Sequence, residues 1–290
     1  MNDLAAKIRV GPAGWSYDDW KGRVYPESPG RGFDQLAYLA SYFDTIEINS
    51  SFYRPPAPNM TESWVRRTES NPNFKFTAKL YQKFTHDRGQ ATAEDEKAYK
   101  MGIEPLVKAD KLGAILVQFP WSFKNTDESR ACLEQVLDQF SEYPLVVEVR
   151  HASWNREEVY GFLAERGVGF CNIDQPLFQR SIKPSSRVTS SVGYVRLHGR
   201  NYENWFSDRA DAAARYDYLY SPEELKPWVE NIKAVAEHAK EVYVVTNNHF
   251  HGKGVANALE LKSMVTGEKV SVPEPVLQTF PRLGAIAQVG

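Results

Sequence analysis

Cysteine is scarce in this chain. Only Cys132 and Cys171 occur, one in a helical pattern and one inside an apolar strand. Such sparse cysteines suit a reducing compartment and argue against a disulfide framework. Long hydrophobic runs are missing too, since none reaches the ~18 residues that a membrane helix needs. The opening stretch, MNDLAAKIRV, lacks the apolar core and cleavage pattern of a signal peptide. The expectation is a soluble, cytoplasmic protein with no membrane partner. Nor does either sign of charge dominate. A formal net charge of -2 and a pI near 6.3 argue against general nucleic-acid coating, while leaving a local basic patch open.

Several signature motifs are absent as well. GPAG at Gly11 to Gly14 lacks the G-x-G-x-x-G spacing and precedes no helix, so a dinucleotide cofactor is not expected. There is no G-x-S-x-G elbow for serine chemistry. Ser50 and Ser51 read as turn hydrogen-bonders, and Cys171 reads as core. Glu47, Glu148, Asp174, His198, His249 and His251 could ligate a metal by type, but no H-E-x-x-H or paired-Cys spacing organises them. Lys79, Arg150 and Arg196 would repel a divalent ion, so no metal is assigned.

What is present is an alternation of strands and helices. A length of 290 residues suits one α/β barrel or two smaller domains, and 42% hydrophobic residues can fill a large core. Strands are predicted at Ile8 to Gly11, Thr45 to Asn49, Phe74 to Lys79, Leu112 to Phe119, Leu145 onward, Val168 to Asp174, Val192 to His198 and Glu241 to Asn247. Helical spacing appears between them, at Phe33 to Phe43, Asn59 to Glu69, Glu94 to Lys108, around Leu133 to Phe140, Arg156 to Arg166, after Ser221 and at Lys253 to Val265. Ser221, Pro222 and Glu224 spell a capping box. No helix is evident over Gln175 to Ser191. A tail from about Glu268 holds Pro273, Pro275 and Pro281. An open doubly wound sheet and a closed barrel both fit, and the count and length favour a single-domain TIM (β/α)8 barrel with an irregular segment in place of the sixth helix.

The strands end in polar groups. Leu145 to Trp154 sets the pattern: an apolar start, then Glu148, Arg150 and His151. Side chains alternate along a strand, so residues two apart share a face. Glu47 pairs with Asn49, Thr77 with Lys79, Glu148 with Arg150, Asn172 with Asp174 and Arg196 with His198. Gln118, Asn247 and Asn248 complete the ring. Barrel sites form at this end. The expectation is that Glu47, Lys79, Glu148, Arg150, Arg196 and His198 converge in one pocket. An internal salt-bridge network would use the same residues, because buried charges must be paired. Glu47, Glu148 and His198 are the candidate acid, base and partner. Asn49, Tyr53, Lys79, Gln118, Arg150, Asp174, Arg196, Gly199, Asn247, Asn248 and Gly254 are the candidate substrate contacts.

The loops after the strands carry Trp15, Tyr17, Trp20, Tyr25, Phe52, Tyr53, Trp121, Trp154, Trp205 and Phe206. They can close the barrel mouth or stack on a sugar or base. Glycines after the seventh and eighth strands, Gly199, Gly252 and Gly254, with Arg200 and Lys253 beside them, are read as an anion site at a helix N-terminus. Glu47 and Glu148 lie across the barrel from each other, so they are not expected to form a retaining glycosidase pair, which needs carboxylates ~5 Å apart.

Seven blocks, GWSYDDWKGRVYP, EINSSFYRPP, FTAKLYQKFTH, VQFPWSF, VEVRHASWN, VRLHGRNYENW and NNHFHGKGVANALEL, together resemble the YecE-like family, domain of unknown function 72. The resemblance spans nearly the whole chain and implies a TIM barrel. It implies no activity. It carries over polar positions at Glu47, Asn49, Lys79, His86, Glu148, Arg150, His151, Arg196, His198, Asn247 and Asn248. Three functions remain in competition. The first is an enzyme using general acid/base chemistry on a small, polar, anionic, sugar- or nucleotide-like substrate, phosphorylated or not. The second is a metal-dependent phosphoesterase or isomerase. The third is a non-catalytic module for nucleotides or single-stranded nucleic acid.

Overall fold

Strands that are apolar on both faces can be stable only when covered on both sides, which is the condition a barrel wrapped in helices satisfies. In the computed structural model, which describes residues 4–205 and 214–288, that is the arrangement. Eight strands run β1 Ile8–Pro12, β2 Thr45–Ile48, β3 Lys75–Lys79, β4 Leu112–Gln118, β5 Leu145–Glu148, β6 Gly169–Asp174, β7 Val192–Leu197 and β8 Glu241–Thr246. Every neighbouring pair is parallel, and the order is β1-β8-β7-β6-β5-β4-β3-β2. The two end strands meet at a bridge between Ala13 and Glu47, reinforced by the Gly14 N–H donating to the Glu47 carbonyl at 2.9 Å. The result is a nearly closed TIM-type barrel. Gly11 makes that seam possible: a Cβ there would lie 1.8 Å from the Thr45 carbonyl oxygen.

The outer layer holds α1 Gln35–Ala40, α2 Ser50–Tyr53, α3 Pro58–Arg67, α4 Ala93–Lys108, α5 Asp127–Gln139, α6 Glu157–Glu165, α7 Pro222–His238, α8 Lys253–Thr266 and α9 Glu274–Thr279. The start of α7 is the predicted capping box, with Ser221 and Glu224 exchanging side-chain to backbone bonds. Residues 175–191, between β6 and β7, carry no helix, as the sequence indicates. Two elements differ from the sequence expectation. SSFY after β2 forms the short α2 in place of a loop, and the Pro-rich tail carries α9, whose Val276 is fully buried.

The tail is tied down by Arg282, which bonds the Tyr220 carbonyl and Glu260. Burial pushes the Glu260 carboxyl up, while Arg282 and Asn257 draw it back toward ionisation. No helix among the described residues is long and apolar enough to cross a membrane.

Candidate functional site

The site is built from the last inward-facing residues of the strands. On β7 these are Tyr194, Arg196 and then His198. Arg196 is fully buried and spans the barrel. Its Nη2 donates to Glu47 Oε1 at 2.6 Å, and its Nη1 donates to Glu148 Oε2 at 2.6 Å and Gln118 Oε1 at 3.0 Å. Tyr194 donates to Glu47 Oε2 at 2.9 Å. On the other oxygen of Glu148, Arg150 Nε donates at 3.0 Å and His198 Nε2 lies 3.1 Å away. Asn247 Nδ2 meets His198 Nδ1 at 3.0 Å. With Asn247 donating there, the hydrogen-bond network assigns the histidine proton to Nε2, facing Glu148.

These contacts fix the charge states. Burial alone would raise the Glu148 carboxyl, but Arg196 above all, with Arg150, holds it well below the usual carboxylate range. Burial pushes the His198 imidazole down to about 3 against the pull of Glu148, so the ring is neutral at ordinary pH. Glu47, Glu148, Arg196 and His198 have no solvent exposure. The space between the two carboxylates is filled by the Arg196 guanidinium, which leaves no room there for a sugar ring. A saturated, sealed carboxylate is a structural counter-ion before it is a base.

Above this layer lies a cavity of about 370 Å³. Lys79, His86, Arg150 and Arg215 face it, with Phe52, Tyr53, Trp121, Trp205 and Tyr216 as walls and Gln118 and Pro120 at its base and side. Lys79 ends β3, and its carbonyl is held by Ser51 Oγ at 2.7 Å and the Tyr99 hydroxyl at 3.0 Å. Its Nζ sits 4.1 Å over the Phe52 ring, which α2 supplies. Burial pushes this ammonium down to about 7, with Arg196 and Arg150 reinforcing burial against Glu47 and Glu148. Burial, Lys79 and Arg150 together push His86 down to about 4.

Arg150 is positioned from behind as well. Its carbonyl accepts from the Ile182 N–H at 2.9 Å and Gln175 Nε2 at 3.1 Å. Its guanidinium lies 5.7 Å from the Trp205 ring, and its Nη2 is buried with no hydrogen-bond partner among the described residues. A groove of similar volume, about 330 Å³, opens outside the barrel between α5 and α6, but its charged groups are already paired, Arg130 with Glu158 and Glu134 with Arg166.

The six residues expected to converge do so at the C-terminal end of the barrel, but in two tiers. Glu47, Glu148, Arg196 and His198 lie sealed below, and Lys79 and Arg150 line the cavity. Gln118 and Tyr53 also reach the cavity, the latter at its rim and 68% exposed. Asn247 supports His198, and Asn49 donates to the Tyr17 hydroxyl at 3.1 Å.

Four expected contacts are not brought there. Cys171, not Asp174, points into the barrel on β6, with its Sγ 3.9 Å from Glu148 Oε2. Asp174 faces outward, where Arg200 Nε bonds it at 2.9 Å and Tyr220 and Trp228 also bond it. Asn248 bonds the Tyr218 carbonyl and Asn257. The Gly199 N–H is taken by the Tyr220 hydroxyl at 2.8 Å. Gly254 packs against the carbonyl oxygens of Thr246 and Asn248, at 3.1 and 3.3 Å from where a Cβ would sit. An anion needs N–H groups there, and carbonyls repel it. The flanking cations are committed too, Arg200 to Asp174 and Glu224, and Lys253 to Asp217.

Among the mouth aromatics, Trp20, Tyr25 and Trp154 are core, Trp15 packs on Trp64 and Phe76, and Tyr17 stacks on His249 at 4.5 Å. Phe206 lies outside the described residues. Seven cavity residues lie outside the contacts expected from the sequence: Phe52, Trp121 and Trp205, which were read only as mouth aromatics, Pro120, and also His86, Arg215 and Tyr216. His86 sits in one of the family blocks, and Arg215 and Tyr216 sit in the aromatic loop after β7. Basic residues among aromatics in strand-end loops were the signal that could have found them. Among the described residues, no group of three or more His, Cys, Asp or Glu side chains is arranged to hold a metal ion.

Known proteins share this framework. The chain is 28% identical over 287 residues to the UPF0759 protein YunF of Bacillus subtilis (strain 168), covering 94% of this chain and 100% of that one. The crystal structure of the DUF72 family protein TM1631 from Thermotoga maritima MSB8 superposes with a TM-score of 0.79 at 37% identity, over 89% of this chain and 99% of that one. The DUF72 family protein EF0366 from Enterococcus faecalis V583 gives a TM-score of 0.78 at 26% identity, over 89% and 95% of the two chains. Residues 9–281 match the family described as "Protein of unknown function DUF72", and with nearly the whole barrel inside that match, the chain belongs to the DUF72 family.

Proposed function

We propose that the barrel mouth binds a small anionic molecule with a planar or ring portion, and that Lys79 is the group that moves protons on it. The observation that carries this reading is the meeting of four basic side chains, Lys79, His86, Arg150 and Arg215, on one cavity with aromatic walls. Guanidinium groups suit carboxylate and phosphate geometry, and aromatic faces suit a ring. The buried Arg150 Nη2 has no partner among the described residues. An unanswered buried donor costs ~1–3 kcal/mol, so a ligand oxygen at that atom would be favoured.

The acid/base role expected of Glu47, Glu148 and His198 moves, in this reading, to Lys79. The carboxylates hold Arg196 and Arg150 in place beneath the ligand. An ammonium held at about 7 by burial is poised for proton transfer near neutral pH. Support also comes from the location, since TIM barrels carry their sites at this face.

The test is thermal unfolding with inorganic phosphate or a nucleoside 5′-monophosphate. A ligand at 100 times its Kd adds ~2.7 kcal/mol of stability. The wild-type protein should gain several degrees in Tm, and Arg150→Ala and Arg215→Ala should each lose most of that gain. A Tm unmoved by millimolar ligand, or an equal gain in both variants, would end the proposal.

A further inference from the structure

We infer, on the basis of the anion-binding reading above, that Lys79 acts as a covalent amine: its Nζ forms a protonated imine with a small carbonyl compound bearing an anionic group, either a 2-oxo acid or an aldehyde or ketone phosphate. Its surroundings set this lysine apart. Lys75, Lys83, Lys100 and Lys253 all face a carboxylate at ion-pair distance. Lys79 makes no ion pair with any described residue, and its Nζ rests over the Phe52 ring. Beneath it, Glu47 and Glu148 are already matched by Arg196 and Arg150. A proton on Lys79 is therefore surplus charge in a buried cluster, while the neutral amine leaves the cluster balanced.

An amine used as a nucleophile must also be held still and be reachable. Ser51 and Tyr99 fix the Lys79 carbonyl at the end of β3, and the side chain opens on the cavity. The same wall presents Arg150 and Arg215 to an anionic group on the incoming molecule. An ordinary lysine is unprotonated in roughly a few parts in ten thousand at pH 7, whereas burial brings this one down to about 7. Lysines desolvated in apolar pockets or set beside other cations are activated in this way.

The covalent step balances without a further reagent. The Nζ lone pair attacks the carbonyl carbon, and the C=O π pair moves onto oxygen. A proton passes from nitrogen to that oxygen, giving a neutral carbinolamine. The nitrogen lone pair then forms C=N+ as the hydroxyl leaves, taking a proton from solvent at the open mouth and departing as water. The cationic imine is an electron sink for removing a neighbouring proton or breaking a neighbouring C–C bond.

The test uses the full chain. The protein is incubated near pH 7 with pyridoxal 5′-phosphate or with dihydroxyacetone phosphate, reduced with borohydride, digested and mapped by mass spectrometry. Pyridoxamine 5′-phosphate, which has the anion and ring but no carbonyl, reports binding alone. A single dominant adduct on Lys79, formed faster as pH rises with a midpoint near the value of about 7, is the expected result. Lys79→Arg should bind pyridoxamine 5′-phosphate and form no adduct. Peptide mapping of the wild-type protein decides the matter even where that variant fails to fold. Adducts spread over exposed lysines such as Lys21 and Lys108 with no preference for Lys79 would overturn the inference, as would a dominant adduct surviving in Lys79→Arg. Pyridoxamine 5′-phosphate binding without any Lys79 adduct would sink the covalent step and leave the anion site standing. Absence of both would remove the anion site and this inference together.

Discussion

A protonated Lys79 adds a third full cation to a cluster in which Glu47 and Glu148 already balance Arg150 and Arg196. Its folded value of about 7 lies below the ordinary lysine value of 10.5. Between these two values the unfolded chain binds more protons than the folded one, so stability rises with pH across that window. Below pH 7 the full cost is present, and above about 10.5 it is gone. His198 acts with the same sign in a separate window, from 6.5 down to about 3, so it does not mask the effect of Lys79. Lys79→Met keeps an apolar stem over Phe52 and removes the proton. It should stabilise the protein at pH 7 by on the order of 2 kcal/mol, after discounting for partial exposure. The gain should shrink toward zero near pH 10. Urea unfolding at three pH values measures it, and a gain that is flat with pH would show that Lys79 keeps an ordinary ammonium.

At the level of elements, the seam between β1 and β2 is a close fit. Among the described residues, the Ala13–Glu47 bridge and the Gly14 N–H give the backbone pairing between the two strands, and Gly11 lets them approach. Gly11→Ala places a methyl 1.8 Å from the Thr45 carbonyl oxygen. That oxygen belongs to backbone and cannot swing aside. The loss should exceed the ~1–3 kcal/mol usual for overpacking, and intrinsic tryptophan fluorescence on denaturant titration would register it. A loss under about 1 kcal/mol would mean that the seam can open without cost.

All eight strands were legible in the sequence because buried strands leave short stretches of apolar and β-branched residues that end in polar groups. The short α2 was not, since SSFY reads as turn residues and the three prolines beyond it erase any periodicity. The orientation of β6 was also misread. Asn172 and Asp174 looked like site residues because they are polar at a strand end. Yet Asn172 bonds the Arg187 carbonyl and N–H, and Asp174 bonds Arg200, both outside the barrel. Alternation says which residues share a face and not which face points inward. In β6 the helix-free connection offers the Arg187 backbone groups to Asn172, while the Arg200, Tyr220 and Trp228 side chains hold Asp174 on the outside.

Across the whole molecule, one guanidinium connects opposite walls. Arg196 leaves β7 and bonds side chains from β2, β4 and β5. Arg196→Ala leaves Glu47 without its counter-charge and Glu148 with Arg150 alone. Removing one partner of a buried pair costs ~3–5 kcal/mol, and two carboxylates share this partner, so the upper end is expected in equilibrium unfolding. A cost below about 1 kcal/mol would mean that solvent reaches these carboxylates and that the tier is not sealed. The sequence located this convergence through residue parity together with the polar groups that end the strands. It could not divide the charges into a closed tier and an open one, because that division depends on how far the loops after the strands reach across the mouth.

The pairing of β1 with β8 has a further consequence, for the order in which the chain is made. Residues 8–12 find their hydrogen-bonding partners only at residues 242–246. A ribosome releases the first strand early and its neighbour near the end of the barrel. For most of synthesis the nascent sheet therefore carries an unpaired parallel edge, the kind of surface that templates association between chains. The Gly- and Pro-containing stretch from Ala13 to Gly32, which follows β1 at once, has little tendency to extend that edge.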